Sequence, residues 1–184
     1  MAKTIVARWE DWSRTGIEHL VLRQLDTEVI VDSVIIAAAE GTKFGVRYHL
    51  VCDAEWCVRE AVVSLVGGDR SFHLISDAKG TWREGARVLQ QLTGATDIDI
   101  SATPFTNTLP IRRLRLRQQE PAEILALYVQ VPSLELSIDR QRYTLLDQGR
   151  RYRYESVDSD FKRDIEVDDD GLVVTYPGLF RRTS

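Results

Sequence analysis

Residues 44–52 read FGVRYHLVC, and this stretch decides the fold class. Every second side chain from Phe44 to Cys52 is apolar or aromatic, and the positions between them include Arg47 and His49. A period of two residues is typical of a β-strand with one face on a core and the other in solvent. The stretch therefore predicts a half-buried strand.

The same alternation recurs along much of the chain. It is clearest around residues 134–139, 151–155 and 164–168. Short runs rich in Gly and Asp, which favour tight turns, separate the strands at 67–69, 77–80 and 169–171. About a dozen short, regularly spaced strands follow from this pattern, and such a series is typical of an all-β sheet, barrel or roll.

One stretch breaks the alternation and predicts a short helix over residues 107–114. Thr108 is a residue type that caps helix N-termini, and Pro110 suits the first helical turn. The apolar residues that follow are spaced to line one side of a helix. A second stretch, 86–94, fits either one helical turn or an irregular strand, and the sequence leaves that choice open.

Length and composition bound the class of protein. The chain has 184 residues, 43% of them hydrophobic and 28% charged, which suits one domain over residues 1–184. With 24 basic and 28 acidic residues the net charge is −4, and this balance argues against a nucleic-acid partner. No apolar run approaches the ~18 residues of a transmembrane segment, and no secretory leader is visible, so a cytoplasmic location is expected.

The two cysteines, Cys52 and Cys57, flank a turn-like Asp53-Ala54 pair and are expected on the two strands of one hairpin. That placement is compatible with a disulfide, although reduced thiols are favoured in the absence of an export signal. Their number and spacing do not fit a metal site, and we expect neither a metal nor another cofactor.

Few residues are candidates for catalysis. His49 lies on the polar side of its predicted strand, which favours a structural or exposed histidine. Asp97 and Asp99 lie on one face of a strand, roughly 6.5–7 Å apart, a separation near that of paired catalytic carboxylates. Neighbours of this kind usually form a solvated polar face, and acid–base work would also need one pKa raised by burial. The sequence therefore favours a protein that is not an enzyme.

Arginine and tyrosine are interleaved late in the chain. The arginine-rich segments are 112–117, 140–142 and 150–153, and the tyrosines among the later ones are Tyr143, Tyr152 and Tyr154. Such residues can bind anionic or sugar-bearing ligands by hydrogen bonding and stacking. They can also pair with the acidic run at 158–166 across a sheet, and the pattern slightly favours this pairing. Arg112 and Arg113 are the exception, because apolar neighbours on their helix would enclose them.

Residues 101–114 read SATPFTNTLPIRRL, a long and unusual stretch. It resembles the bacterial glycolipid-binding family, and the similarity continues at 16–20, 44–48, 141–144, 151–156 and 170–180. The resemblance covers nearly the whole chain. Members of that family form a spiral β-roll, so the resemblance implies an all-β, or β-dominated α+β, fold. About a dozen or more antiparallel strands would wrap around the short helix near 107–114.

The resemblance implies a protein that binds a glycolipid or a similar lipid-like amphiphile and catalyses no reaction. The inner face of such a roll would take acyl chains, and Arg and Tyr side chains at its mouth would hold the polar headgroup. The alternative is a roll that its own helix fills completely. The candidate ligand-binding residues are Thr103, Phe105, Asn107, Thr108, Arg112, Arg113, Arg142, Tyr143, Tyr152 and Tyr154.

Two other functions stay open at this point. The first is an enzyme acting on a small polar or sugar-like substrate, with Asp97, Asp99 or His49 in acid–base roles. The second is an interaction protein without a small ligand, in which exposed sheet edges or an apolar patch form a homodimer. The homodimer is also compatible with ligand binding.

Overall fold

One sheet of fifteen strands contains most of the chain in the computed structural model, which describes residues 2–39, 41–147 and 150–183. The strands are β1 (Lys3–Asp11), β2 (Ile17–Gln24), β3 (Glu28–Ala39), β4 (Thr42–Asp53), β5 (Val58–Leu65), β6 (Ser71–Ser76), β7 (Trp82–Glu84), β8 (Arg87–Val88), β9 (Asp97–Ile100), β10 (Pro121–Gln130), β11 (Glu135–Asp147), β12 (Arg151–Ser156), β13 (Lys162–Val167), β14 (Val173–Tyr176) and β15 (Phe180–Arg182). The α-helix α1 (Thr108–Leu114) and the 3-10 turns Gln90–Leu92 and Phe105–Asn107 complete the described elements.

The order of strands in the sheet is two meanders joined in the middle. Strands β1 to β8 lie side by side in chain order and form the first meander. Strands β10 to β15 form the second, and the pairing of β1 with β15 joins the two. Neighbouring strands are antiparallel throughout, with the exception of β9, which pairs in parallel with β10. The sheet does not close, so β8 and β9 form its two edges.

The sheet curls past itself and encloses two apolar cores. Strands β9 and β10 separate them: Ile98 and Val129 face the first core, and Ile124 on the opposite face of β10 lies in the second. The helix α1 contributes side chains to both cores, with Leu109 in the first and Ile111 in the second. The edge strand β9 is consequently covered on both faces. This is the spiral arrangement that the resemblance implied, and the strand-dominated fold with one short helix is confirmed.

The helix begins differently from the prediction. Thr108 was expected as the N-cap, but it is the first helical residue, and the capping position belongs to Asn107. Asn107 itself has helical backbone angles and makes no side-chain cap, because the 3-10 turn Phe105–Asn107 runs directly into α1. The open choice over 86–94 resolves as both alternatives, since β8 is followed at once by the 3-10 turn Gln90–Leu92.

Two further observations bear on the sequence predictions. Cys52 is buried at the end of β4 and Cys57 lies just before β5, and both are free thiols. In the described part of the chain, no helix has the length and apolar character that a membrane crossing requires.

Candidate functional site

A cavity of about 420 Å³ opens from the second core. We call it the tyrosine cavity, because Tyr128, Tyr154 and Tyr176 line it. Residues from β9, β10, β11, β12 and β14 contribute to its wall, together with the segment that leads into α1. Its apolar surface comes from Ile100, Ile138, Phe161, Leu179 and Phe180. The curled half of the sheet therefore leaves open space where the sequence allowed a fully packed interior.

Two carboxylates from different strands meet in this cavity. Asp99 of β9 and Asp139 of β11 both accept a hydrogen bond from the side-chain amide of Gln141, at 2.7 and 2.9 Å. Thr106 donates to the other oxygen of Asp99 at 3.0 Å, and Ser156 donates to Asp139 at 3.1 Å. All of these donors are neutral, so they do not cancel the negative charge of the two carboxylates. Each carboxylate also keeps lone pairs that can accept hydrogen bonds from a ligand.

The pKa of Asp99 is raised to about 6, chiefly because burial disfavours its charged form. Hydrogen bonds from Thr106 and Gln141 lower it in part, and the negative charge of Asp139 raises it further. The expectation of a solvated polar face for Asp97 and Asp99 is wrong, because β9 lies inside the spiral. Asp97 is only 1% exposed and Asp99 lines the cavity.

The aromatic rings form a connected group along the cavity wall. Tyr154 makes edge-to-face contacts with Tyr143, Phe161 and Tyr176, at centroid separations of 5.4, 5.9 and 6.3 Å. Burial raises the pKa of Tyr154 and of Tyr176 far above the usual value, so both stay neutral. Tyr154 also donates to Asp139 at 3.3 Å. The wall thus offers aromatic faces and neutral hydroxyl groups side by side.

A third carboxylate lies behind the cavity. Glu18 of β2 is 3% exposed and accepts hydrogen bonds from the hydroxyls of Ser33, Tyr48 and Thr103 at 2.7, 2.5 and 2.6 Å. Burial raises its pKa to about 7, against the lowering effect of these hydrogen bonds. Thr103 also lines the tyrosine cavity, so one side chain connects Glu18 to the site.

The structure brings four of the ten predicted residues together at the tyrosine cavity. Thr103, Asn107 and Tyr154 line it, and Tyr143 lies directly behind, where its hydroxyl donates to Asn107 at 3.0 Å. Phe105 belongs instead to the first core.

The remaining predicted residues lie elsewhere. Arg112 and Tyr152 line a second cavity of about 450 Å³ beside the last turn of α1. Arg113 binds the buried carboxylate of Asp97 through two hydrogen bonds of 3.1 and 2.5 Å. Arg142 lies on the outer side of β11, where it pairs with Glu123 at 2.5 Å. Thr108 is fully buried, and its hydroxyl has no hydrogen-bond partner in the described ranges.

A family model described as "Putative glycolipid-binding" matches residues 6–182. The chain belongs to this family. It is also similar to a protein of solved structure, a DUF1089 family protein from Pseudomonas aeruginosa whose crystal structure was determined at 1.80 Å resolution. The two are 41% identical, with a TM-score of 0.79 over 90% of this chain and 92% of the other. No curated protein matches the chain.

The family match spans both cavities, yet sequence reasoning missed several residues of the tyrosine cavity in this family member. The alternation over residues 134–139 predicted an outward polar face for Asp139, and Gln141 was not a candidate site residue. No local signal could correct this, because Leu136 and Ile138 at the start of β11 pack against the first core, as alternation predicts, while Ser137 and Asp139 on the predicted solvent face line the cavity. His49, a candidate for acid–base work, lies away from the site and pairs with Asp32 at 2.8 Å.

Proposed function

We propose that this protein binds a glycolipid, with the sugar headgroup held in the tyrosine cavity and without chemical conversion of the ligand. The observation that carries the proposal is the combination of surfaces in one cavity: two carboxylates and three phenol groups beside aromatic and aliphatic side chains. A sugar has the same duality, because its hydroxyls are polar and its C–H faces are apolar.

Each part of a sugar has a partner of suitable chemistry. Its hydroxyls can donate to the remaining lone pairs of Asp99 and Asp139, and the phenol of Tyr176 can donate to a sugar oxygen. The C–H faces can pack on Tyr154 and Phe161, whose rings are already fixed by edge-to-face contacts. A volume of about 420 Å³ lies within the range of small-molecule sites.

Apolar side chains at the edge of the tyrosine cavity offer a surface for the lipid part of the ligand. Leu179 and Phe180 line the cavity, and Leu179 is 37% exposed. The neighbouring Trp12 is 47% exposed, and its backbone N–H donates to the carbonyl of Leu179 at 2.8 Å. This apolar lip continues the cavity to the surface, so an acyl chain attached to a bound sugar would remain in contact with apolar side chains.

Titration calorimetry with octyl glucoside, compared with an octyl amphiphile that has a zwitterionic headgroup, tests the proposal. We expect saturable binding of the glucoside alone, and its loss when Ser137→Trp fills the mouth of the cavity. Ser137 is exposed, so the added ring does not disturb a core. Ser71→Trp, at an exposed position of β6 outside the cavity, is the matched control. Native mass spectrometry after incubation with a bacterial lipid extract provides a second readout. The absence of a bound lipid there, together with no glucoside binding, would refute the proposal.

A second candidate function is hydrolysis of the glycosidic bond, and one observation favours it. Asp99, with its pKa near 6, lies beside Asp139, as an acid and a base or nucleophile would. The amide of Gln141 occupies the position between the carboxylates, which favours ligand holding over reaction. Release of 4-nitrophenol from 4-nitrophenyl glycosides, abolished by Asp99→Asn, would establish hydrolysis in place of simple binding.

A further inference from the structure

The second cavity lies at the opposite end of α1 from the tyrosine cavity. The tyrosine cavity adjoins the residues before the helix, whereas this one adjoins its last turn. We call it the Arg112 cavity. Its other walls come from Gln24 at the end of β2, Trp56 between β4 and β5, Tyr152 of β12 and the turn between β13 and β14. The two cavities share no lining residue.

The guanidinium of Arg112 is held in place without a carboxylate partner among the described residues. Its central carbon lies 4.9 Å from the ring centroid of Trp56, a cation–π contact. On another side it packs against Gly171, where an added Cβ would fall 2.9 Å from Cδ of Arg112. Gly171 has a φ of +78°, so the turn both requires a glycine and leaves room for the arginine.

Acidic residues surround this cavity, and Asp168 and Asp169 line it. Each one pairs with a basic residue other than Arg112: Asp168 with Arg182, Asp169 with Arg150, Asp170 with Lys3 and Glu55 with Arg115. None of these four carboxylates forms an ion pair with Arg112. The adjacent Arg113 differs, because the buried Asp97 neutralises it.

Further hydrogen-bond donors in the same wall also lack acceptors. The indole N–H of Trp56 has no protein acceptor in the described ranges, and it is accessible rather than buried. The buried indoles of Trp9 and Trp82, by contrast, each donate to a backbone carbonyl, at 2.7 and 2.8 Å. The hydroxyl of Tyr152 is likewise without a partner in the part of the chain that the structure describes. A fixed cation, an indole N–H and a phenol around one space suit a ligand rich in acceptors.

We infer that the Arg112 cavity binds a phosphate monoester. A guanidinium presents a planar fork of donors that matches two phosphate oxygens, and the third oxygen can accept from Trp56 or Tyr152. The cavity of about 450 Å³ exceeds the needs of a bare ion and leaves space for the organic part of the ester. The site does not depend on sugar binding, so failure of one proposal leaves the other standing.

Calorimetry with glycerol 3-phosphate tests this site in solution. We expect saturable binding to the native chain, weakened roughly 10- to 100-fold in Arg112→Met, as for loss of a charge-assisted hydrogen bond. Arg83→Met is the matched control, because Arg83 is exposed on β7 and lines neither cavity. Equal binding by Arg112→Met and the native chain would overturn the inference.

A vesicle arm distinguishes a soluble ester from a lipid headgroup. Phosphatidylcholine vesicles with phosphatidic acid are compared with vesicles of phosphatidylcholine alone in a flotation assay. Arg112-dependent binding to the phosphatidic acid vesicles alone assigns the site to a lipid, and binding to glycerol 3-phosphate alone assigns it to a free metabolite. The absence of both refutes the site. If Arg112→Met fails to fold, the native chain is titrated with glycerol 3-phosphate and the NMR signal of the Trp56 indole N–H, assigned by its absence from Trp56→Phe, is followed. A saturable shift of this signal supports binding there, and an unchanged signal overturns it.

Discussion

Asp97 and Asp99 lie two residues apart on the same side of β9, yet only Asp97 has a cationic partner. Arg113 binds both oxygens of Asp97, whereas Asp99 accepts hydrogen bonds from a hydroxyl and an amide. Asp97 is therefore a structural carboxylate, whereas Asp99 faces the tyrosine cavity. Burial raises the pKa of Asp99 to about 6.

Removal of the partner of Asp97 should be strongly destabilising. Arg113→Met leaves a 1% exposed carboxylate without its cation, and we expect a loss of about 3–5 kcal/mol in the free energy of unfolding. Arg115→Met, which breaks an exposed pair with Glu55, should cost less than about 1 kcal/mol. Urea denaturation of both variants checks this. Similar midpoints for the two would show that the buried pair is not special.

The burial of Glu18 predicts a stability that falls with rising pH. Its pKa is about 7 in the folded chain and near 4.5 when unfolded, so the folded state holds the extra proton between these values. This contribution is complete below about pH 4.5 and is lost as the pH rises through 7, about 3 kcal/mol in all. Glu18→Gln should remove this part of the pH dependence.

The measurement for Glu18 is the urea midpoint at pH 5 and at pH 8. Glu135→Gln, at an exposed position of β11, is the control and should retain the full dependence of the native chain. A Glu18→Gln variant that loses as much stability between the two pH values as the native chain would contradict the role of Glu18.

Sugar binding should depend on the protonation of Asp99. Above its pKa of about 6 the carboxylate offers charged acceptors to a ligand hydroxyl, and below it the bound proton removes part of that capacity. We expect octyl glucoside to bind several-fold more tightly at pH 7.5 than at pH 5. Asp99→Asn should bind weakly and without this difference. Calorimetry at both pH values measures it, and an unchanged pH response in Asp99→Asn would assign the effect to another group.

The fold was predictable because its main signals are local. Alternation around Tyr48 and Tyr152, and the break in alternation at Pro110, each depend on residues close in sequence. The site was only partly predictable. Alternation distinguishes the two faces of a strand, but it cannot show that a spiral buries both of them, as happens to Asp99 and Asp139. Nor could spacing reveal that Asp97 would bind Arg113, sixteen positions away on α1.

The pairing of β1 with β15 has a consequence for the order in which the molecule can assemble during translation. The β1–β8 meander is available early, and the second meander grows from β10 onward. In the sheet, the two halves are joined through β15, a strand of three residues that follows the other fourteen, and this pairing aligns Arg182 with Trp9. Such a distant contact is slow to form because the entropy cost of closing a chain loop grows with its length. Among the fifteen strands β15 is therefore the last to be synthesised, and truncation of Phe180–Arg182 should break the hydrogen-bonded continuity of the sheet between β1 and β14, while the first core still holds side chains from both meanders.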